Sequence, residues 1–348
     1  MEKSFYRRFG LAILPVVVIC MPFIVMGAYT GARSNRNVVA DWLPAHFEET
    51  RRLEWFNDRF GTAEMLAVSW DACTLDNHSV RDLAEALREL EFPGDEAGKL
   101  FDNVFAGAEM LDSLSDEPFN LSHKQAVSRM RGWLVGPDGH TCVVAQLSKL
   151  GENHRHVAVD RVLELAQEKC GVKKDAIRVA GPSFDSVAID RTSGETIQPL
   201  NFLCWSICLV VATMSFRSLR IGVMIFLVAL ICQYLSVAII YYTGTTMNSI
   251  LMMVPSLVFV LSVSASVHIT NYYRDAIEED GVAGAAGRAV RAGWTPCWLA
   301  AGTTALGMAS LMVSRIVPIH TFGKYAGIGV LAGLALLMLV LPSWLEWQ

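Results

Sequence analysis

The run ILMMVPSLVFVLSVSASVHI, Ile250–Ile269, is predominantly apolar and matches the roughly 20 residues that a helix needs to cross a bilayer. Five more runs have a similar length and apolar composition, one near the N-terminus and four in the C-terminal half: Phe9–Tyr29, Ile197–Met214, Ile221–Tyr241, Trp294–Val313 and Phe322–Leu341. The sequence therefore predicts an α-helical polytopic membrane protein with six transmembrane helices. The long gap after the first run predicts a folded domain inserted there, at residues 30–196.

Composition separates a membrane part from a water-soluble part. Hydrophobic residues make up 53% of the chain and its mean hydropathy is +0.36, which is too apolar for an ordinary soluble protein. Between Ile197 and Tyr273 the only formally charged residues are Arg217 and Arg220, whereas residues 30–196 have the composition of an acidic soluble domain. Since the chain has no basic stripe, we expect no nucleic-acid partner.

Basic residues near the span ends predict the orientation, because short cytoplasmic segments are enriched in lysine and arginine. They lie before the first span, in the segment between the second and third spans, and in the segment between the fourth and fifth: Lys3, Arg7, Arg8, Arg217, Arg220, Arg274, Arg288 and Arg291. We therefore expect both termini in the cytoplasm and residues 30–196 on the outer side. Arg315 and Lys324 fall on the outer side near span ends, where long side chains can snorkel to the interface.

The first block, residues 1–29, has two interpretations. Its basic start, and the small residues Gly27, Ala28, Gly31 and Ala32 at its end, would also suit a cleavable signal peptide. Because its apolar run is longer than the hydrophobic region of such peptides, we interpret it as a retained membrane anchor.

Strand and helix patterns alternate within residues 30–196. Strands are predicted at Met65–Trp70, Phe101–Phe105, Thr141–Leu147 and Ile177–Ala180, and helices at Val80–Glu91, Leu121–Trp133 and Asn153–Cys170. The order is two β-α-β units separated by a helical stretch. It predicts an α+β domain with the ferredoxin-like, split β-α-β arrangement.

No group of residues in this domain predicts catalysis. Asp138, His140, His154 and His156 are its candidates for acid–base or metal-binding chemistry, but two histidines two positions apart do not share a helical face. We interpret them as surface residues. The sequence also lacks a phosphate-binding glycine loop and a nucleophile elbow, so we expect no enzyme, no catalytic residue and no cofactor.

Eight cysteines are present, and five of them lie in the apolar runs: Cys20, Cys204, Cys208, Cys232 and Cys297. Those five suit packing as small hydrophobic residues. Cys73, Cys142 and Cys170 lie in the inserted domain without paired spacing, which leaves room for one disulfide and predicts no metal site.

The most specific motifs lie between Met247 and Leu341. They are Asn248 with Pro255, His268 before Tyr272-Tyr273-Arg274, Thr303-Thr304-Ala305-x-Gly307 with Ser310-Leu311, Pro318 before Phe322-Gly323, and Leu341-Pro342. In these motifs and in its span order the chain resembles the N-terminal half of the resistance-nodulation-division (RND) superfamily. The likeness is greatest to the hydrophobe and lipid exporters, the MMPL-like and hopanoid-transporter-like branch.

The resemblance implies a protomer of twelve spans, built from two parallel six-span repeats with a periplasmic porter domain after the first span of each. This chain would supply one repeat, and Gln348 falls where the linker to a second repeat would begin. The expected partner is the missing C-terminal half, a copy of the chain or a partner subunit. The resemblance also implies the bacterial inner membrane, with residues 30–196 in the periplasm.

One departure from the family pattern concerns proton coupling. The resemblance places an aspartate of the proton-driven members at the position of Ser264, and a serine hydroxyl does not exchange a proton at physiological pH. The relay carboxylate is therefore expected to be absent from this half. His268, one turn later on the same face, is the best ionisable substitute. The alternative is that His268 lies at the cytoplasmic interface and hydrogen-bonds there.

The predicted transport region comprises the polar residues of the fourth and fifth spans: Ser262, Ser264, His268, Thr303 and Thr304. Thr303 and Thr304 are expected to hydrogen-bond towards Ser262 or Ser264, as a hydrated polar seam or as simple helix adhesion.

Three further features concern the shape of the helices. Glycines of the sixth span are spaced for close helix packing: Gly323, Gly327, Gly329 and Gly333. Residues 275–292 are predicted to form a cytoplasmic amphipathic helix along the membrane interface. Pro255 is predicted to kink the fourth span and to free carbonyl groups near its middle.

Together these features predict half of an RND-type secondary transporter that exports hydrophobic or lipid-like molecules, with residues 30–196 as its porter domain. Membrane lipids and a hydrophobic small molecule are the expected ligands. The alternative is a non-pumping, sterol-sensing-like module in which the five spans of residues 197–348 bind a lipid and the outer domain regulates a partner. The serine at position 264 favours this alternative.

Overall fold

A computed structural model describes residues 5–34, 37, 42–60, 64–93 and 98–347. Lys3, one of the basic residues used for the predicted orientation, lies outside them. The chain separates into two compact units. The first, here called the bundle, lies within residues 1–37, 41–44 and 190–348, and the second, here called the lobe, within residues 38–40 and 45–189.

Helices dominate the described residues, with four short strands in the lobe. The helices are α1 (Phe5–Arg33), α2 (Glu48–Phe60), α3 (His78–Arg88), α4 (Gly107–Ser115), α5 (His123–Met130), α6 (Lys149–Asn153), α7 (Arg155–Cys170), α8 (Pro182–Phe216), α9 (Leu219–Tyr242), α10 (Val254–Asp280), α11 (Ala285–Ser310) and α12 (Val317–Leu345). The strands are β1 (Met65–Trp70), β2 (Phe101–Ala106), β3 (Val143–Leu147) and β4 (Ile177–Ala180).

Six of these helices, α1 and α8 to α12, are long and apolar enough to cross a membrane, which confirms the six predicted spans. The chain is therefore a multi-pass membrane protein. Helices α9, α10 and α12 are the most buried, whereas few residues of α1, α8 and α11 are buried. Helix α1 packs closely on α9, because a Cβ at Gly27 would meet the Tyr242 ring and one at Gly31 would meet Val237.

Helix α8 is longer than the predicted second span. It begins at Pro182, inside the stretch assigned to the outer domain, and runs as one helix of 35 residues to Phe216. Hydropathy identified only its second half, because the polar turns before Ile197 are helical but not apolar. Residues 182–189 of α8 belong to the lobe and residues 190–216 to the bundle.

The predicted amphipathic helix at residues 275–292 is wrong. Helix α10 continues to Asp280, and α11 begins at Ala285, so the segment is divided between two long helices. Gly281 and Gly284 adopt positive φ angles of 78° and 75°, which glycine tolerates and which end one helix and reorient the chain for the next. Residues on both sides of the turn are helical, as their periodicity indicated, but the periodicity gave no sign of the turn between them.

The predicted kink at Pro255 is also wrong. Pro255 lies in the first turn of α10, where a proline is compatible with an unbroken helix because the first amide groups have no partner within it. A short 3-10 helix, Leu251–Met253, precedes α10. Asn248 Oδ1 accepts hydrogen bonds from the amides of Ile250 at 3.1 Å and Leu251 at 2.8 Å, which starts this turn.

The lobe contains one four-stranded sheet in the order β2-β3-β1-β4, with all neighbouring strands antiparallel. The predicted strands at Met65–Trp70 and Ile177–Ala180 coincide with β1 and β4, and the other two differ by a residue or two at an end. Helices α2, α4 and α6 were not predicted.

Apolar side chains from the sheet, α3 and α7 form the core of the lobe. Leu66, Leu83 and Phe101 are among its fully buried large side chains. Alternate residues of β1 and β3 face this core, as the period of two in a strand requires. The lobe therefore has the interior of a water-soluble domain.

Candidate functional site

A cavity of about 330 Å³ lies in the bundle between α10, α11 and α12. Its walls combine one face of α10, one face of α11 and two residues of α12: Val258, Leu261, Ser262, Ser264, Ala265, His268, Tyr272, Pro296, Cys297, Ala300, Ala301, Thr304, Val330 and Leu334. Most of these side chains are apolar. Four of the five predicted transport-region residues, all except Thr303, contribute to the lining.

The face of α10 that lines the cavity carries polar residues one turn apart. Ser264 and His268 are exposed on the bundle surface, whereas Ser262 is buried. His268 is not at a helix end, because α10 continues from it for three further turns to Asp280. The cavity is therefore reached from the bundle surface through Ser264 and His268 and extends inwards to Ser262.

The predicted hydrogen bonds from Thr303 and Thr304 to the fourth span are wrong. Both hydroxyl groups donate to the carbonyl of Ala300 in their own helix, at 3.0 Å and 2.9 Å. Such bonds to the preceding turn satisfy a hydroxyl in an apolar environment without a partner helix. Thr304 lines the cavity, while Thr303 is exposed on another face of α11.

A further polar face of α10 is buried; Ser262 on it was predicted, but Ser266 and Thr270 were missed by sequence reasoning. Ser262, Ser266 and Thr270 follow one another at intervals of four residues, and all three are buried. The Thr270 hydroxyl donates to the Ser266 carbonyl at 2.7 Å, whereas the Ser266 hydroxyl has no hydrogen-bond partner among the described residues. The spacing of four was visible in the sequence and could have identified this face.

Helix α9 contributes buried polar residues as well. Gln233 and Ser236 are 5% and 3% exposed, and the Gln233 side chain accepts a hydrogen bond of 3.1 Å from the Trp205 indole of α8. The Ser236 hydroxyl donates to the Gln233 carbonyl at 2.7 Å. Polar groups thus occur within the bundle with partners in their own or a neighbouring helix.

Gly323 and Gly327 of α12 lie against α11. A Cβ at Gly323 would lie 2.5 Å from the Met308 carbonyl oxygen, and one at Gly327 would lie 3.2 Å from the Ala305 carbonyl oxygen. A contact of 2.5 Å requires a helix to shift, whereas one of 3.2 Å requires the neighbour to move by a few tenths of an ångström. These two glycines therefore allow α11 and α12 to touch through their backbones.

Gly329 and Gly333 lie on another face of α12, towards α10. Cβ atoms there would lie 3.0 Å and 3.2 Å from the methyl groups of Val258. The Gly333 carbonyl accepts a hydrogen bond from the Cys232 thiol of α9 at 3.3 Å. Because Val258 also lines the cavity, this contact holds one of its walls in place.

The cavity lining is mostly apolar and carries a few polar groups. Its residues, all in the described part of the chain, include no carboxylate, and His268 is its histidine. Elsewhere in the described part no group of three or more histidine, cysteine and acidic residues is placed to hold a metal ion. The arrangement suits an apolar molecule whose few polar atoms meet the serine, threonine and imidazole groups.

The polar candidates of the lobe form only a shallow surface site. Asp138 and His140 line a cavity of about 270 Å³ together with Asp71 and Arg178. Arg178 forms an ion pair of 2.7 Å with Asp71, and both side chains are about three-quarters exposed, so the pair contributes little to stability. His156 is exposed, and the His154 ring packs on Phe92.

The three cysteine thiols of the lobe have low reactivity. Burial raises the pKa of Cys73 to about 11 and that of Cys170 to about 12, and it also raises the pKa of Cys142. Thiols react as thiolates. These three groups therefore stay protonated near neutral pH and act as apolar packing residues.

The fold is that of a multi-pass helical membrane protein with an α+β lobe inserted after its first span. The sequence profile of the MMPL family matches residues 60–346, and the chain belongs to that family. The match confirms the resemblance to the RND superfamily that was drawn from the motifs of the fourth to sixth spans.

One similar solved structure is the X-ray crystal structure of a heavy metal efflux pump, crystal form II, with a TM-score of 0.46 and 15% sequence identity. The match covers 84% of this chain, and the chain spans 36% of the length of that pump. No curated protein matches the chain.

Proposed function

We propose that the chain is one six-span repeat of an RND-type secondary transporter that exports hydrophobic or lipid-like molecules from the inner membrane. The observation that carries this proposal is the apolar cavity between α10, α11 and α12. Its volume of about 330 Å³ lies at the lower end of the roughly 300–1,000 Å³ typical of small-molecule sites. Ser264 and His268 at its surface would mark the entrance through which a molecule reaches the cavity.

Within this proposal the lobe is the porter domain. Its antiparallel strand order β2-β3-β1-β4, with helices between β1 and β2 and between β3 and β4, supports the ferredoxin-like arrangement of two interleaved β-α-β units. Residues 30–196 would then be periplasmic and both termini cytoplasmic. The five spans of residues 197–348, with α1, would form the membrane half.

A second repeat completes the proposed transporter. The exposed face of α10 with Ser264 and His268 would lie towards it, whether it is a C-terminal half, a second copy or a partner subunit. Since the cavity lining holds no carboxylate, any proton relay would take its acidic group from that second repeat. His268 is the ionisable group that this half would contribute.

The test fills the cavity while leaving the rest of α11 unchanged. Ala300→Trp places a large ring in the cavity, and Leu299→Trp places the same ring on the exposed face next to it. Efflux of a fluorescent lipid analogue is measured in everted inner-membrane vesicles from cells that express the intact gene. We expect Ala300→Trp to lower the efflux rate about tenfold or more, a loss of roughly 1.4 kcal/mol in transition-state stabilisation, and Leu299→Trp to preserve it. Equal rates for both variants would contradict the proposal.

Dissipating the proton gradient in the same vesicles tests the energy source. Loss of efflux supports proton coupling through the second repeat, and unchanged efflux contradicts it. The lack of a carboxylate in the lining favours one other function, that of a lipid-sensing module that does not pump. Photo-crosslinking of a lipid to α10 and α11, with no efflux under any gradient, would support that alternative.

A further inference from the structure

Helix α10 lines the cavity with a row of polar side chains that have no partner in the described part of the chain. Ser264, His268 and Tyr272 belong to the lining and follow one another at intervals of four residues. Such positions share a helical face and lie about 6 Å apart along the axis. The two hydroxyl groups and the imidazole ring make no hydrogen bond with any described residue. By contrast, the Thr304 hydroxyl on α11 already donates to the Ala300 carbonyl. The row on α10 is therefore available to a ligand.

The deeper part of the cavity is apolar. Its walls there are buried side chains of α10 and α12: Val258, Val330 and Leu334. Ser262, which is also buried, adds one hydroxyl group to this part. Ser264 and His268, in contrast, are exposed on the bundle surface. The cavity thus combines an apolar interior with a polar rim, which suits an amphiphile that buries its hydrocarbon part and keeps its head group at the rim.

The described lining of the cavity contains no lysine, arginine, aspartate or glutamate. An ionised head group that entered such a site would lose hydration and gain no opposite charge, which is unfavourable in an apolar environment. An uncharged hydroxyl group can instead exchange its hydrogen bonds with water for bonds to the rim. The lining should therefore reject anionic and cationic head groups alike.

We propose that the cavity binds an uncharged amphiphile with a hydroxylated head group, of which a monoacylglycerol is the simplest example. Its hydrocarbon chain packs against the apolar walls, and its hydroxyl groups bond to Ser264, His268 and Tyr272. Hydroxyl groups on adjacent carbons reach two neighbouring members of this row, because a hydrogen bond of about 2.8 Å at each end adds to their own separation. Since it names the substrate class of the same cavity, this inference rests on the proposed function.

The first test compares head groups on hydrocarbon chains of equal length. Radiolabelled monolauroylglycerol is bound at equilibrium to the full-length protein in amphipol, at about pH 8, where an ordinary imidazole is neutral. Laurate and dodecyltrimethylammonium serve as the anionic and cationic competitors. We expect monolauroylglycerol to bind about tenfold or more tightly than either of them, because only its head group carries no charge. Equal or tighter binding of either charged competitor would overturn the proposal.

A second test removes single polar groups from the rim. Tyr272→Phe and His268→Leu should each raise the apparent Kd of monolauroylglycerol about 2–10-fold, the effect of losing one hydrogen bond. Displacement by dodecane, which has no head group, should stay within about twofold of wild type, whereas general damage to the cavity would weaken both ligands. Should His268→Leu fail to fold, Tyr272→Phe, which keeps the ring, decides alone. Wild-type affinity for monolauroylglycerol in the folded rim variants would contradict the assignment.

Two further variants locate the binding. Tyr234→Phe makes the same change on α9, at a half-buried tyrosine outside the cavity lining, and should leave the Kd within about twofold of wild type. Ala300→Trp, which fills the cavity, should abolish binding of monolauroylglycerol and of dodecane. An equal loss in Tyr234→Phe and Tyr272→Phe, or unchanged binding in Ala300→Trp, would place the ligand elsewhere and overturn the proposal.

Binding and efflux can fail separately. If wild-type vesicles export nothing while monolauroylglycerol binds with the expected selectivity, the proposed function fails and the ligand class of the cavity stands. If Ala300→Trp stops efflux of the lipid analogue while charged amphiphiles bind as tightly as monolauroylglycerol, the proposed function stands and the ligand class is wrong.

Discussion

Both units bury some polar side chains, but the large, fully buried side chains of the lobe are apolar, whereas the helices of the bundle expose many large apolar side chains. Leu83 of the lobe is fully buried, while Phe202 and Leu306 of the bundle are 70% and 73% exposed. Ser266 and Thr270 of the bundle are fully buried. The difference reflects the solvent of each unit. Lipid tails are as apolar as a leucine side chain, so the hydrophobic effect does not drive apolar side chains of the bundle into its interior.

The comparison also shows what holds each unit together. Burial of apolar area stabilises the lobe, at roughly 25 cal/mol per Å². The bundle depends instead on close contact between helices, which the glycines of α12 permit, and on hydrogen bonds between polar groups inside it. Substitutions of the same type should therefore have different effects in the two units.

The largest effect is expected when the same leucine truncation is made in both units. Leu83→Ala leaves a cavity in the lobe core and should lower the free energy of unfolding by about 2–5 kcal/mol. Leu306→Ala removes atoms from an exposed face and should change it by about 0.5 kcal/mol or less. Denaturant titration of the full chain in detergent measures the free energy of unfolding of both variants. A similar loss for the two variants would break the comparison.

A smaller effect is expected from adding one methyl group to a bundle glycine. Gly323→Ala brings a Cβ to 2.5 Å from the Met308 carbonyl oxygen, so α11 and α12 must separate, at a cost of about 1–3 kcal/mol. Gly302→Ala on α11 meets nothing within 4 Å and should stabilise the helix by up to about 1 kcal/mol. Thermal unfolding in detergent separates the two, since the shifts have opposite signs. A stabilising Gly323→Ala would show that the close contact is not needed.

The smallest effect tests the polar interior of the bundle. The buried Ser266 hydroxyl has no partner among the described residues, so Ser266→Ala should leave the stability unchanged or raise it by about 1 kcal/mol. Thr270→Val removes a hydroxyl that donates to the Ser266 carbonyl and should lower it by about 0.6 kcal/mol. Both are measured by thermal unfolding. A destabilising Ser266→Ala would indicate that water or a ligand binds the hydroxyl, as a hydrated polar seam would require.

Local patterns predicted most of the elements correctly. The six spans follow from apolar length alone, and the strands Met65–Trp70 and Ile177–Ala180 follow from alternation with turns at their ends. The polar first half of α8 was assigned to the outer domain, because nothing in residues 182–196 signals that the helix continues into an apolar run. The turn at Gly281 and Gly284 was missed because helical periodicity runs through both sides of it.

The candidate site was predicted in part. Ser262, Ser264, His268 and Thr304 lie together as lining residues, because positions four apart on a helix share a face and α10 packs beside α11. Thr303 is a neighbour of Thr304 in sequence but points elsewhere, since adjacent residues on a helix differ by about 100°. The hydroxyl groups of Thr303 and Thr304 donate hydrogen bonds within their own helix. Local sequence does not distinguish such a bond from one to a neighbouring helix.

By itself, the sequence determined the number of spans, the place of the inserted lobe and the period of its strands, since each depends on residues close together in the chain. Only the tertiary structure decided which face of α10 is buried and which lines the cavity. It also decided that Asn37 meets Asp190 and Ser249. The physical reason is that these contacts join residues far apart in sequence, and their free energy exists only after the helices have packed.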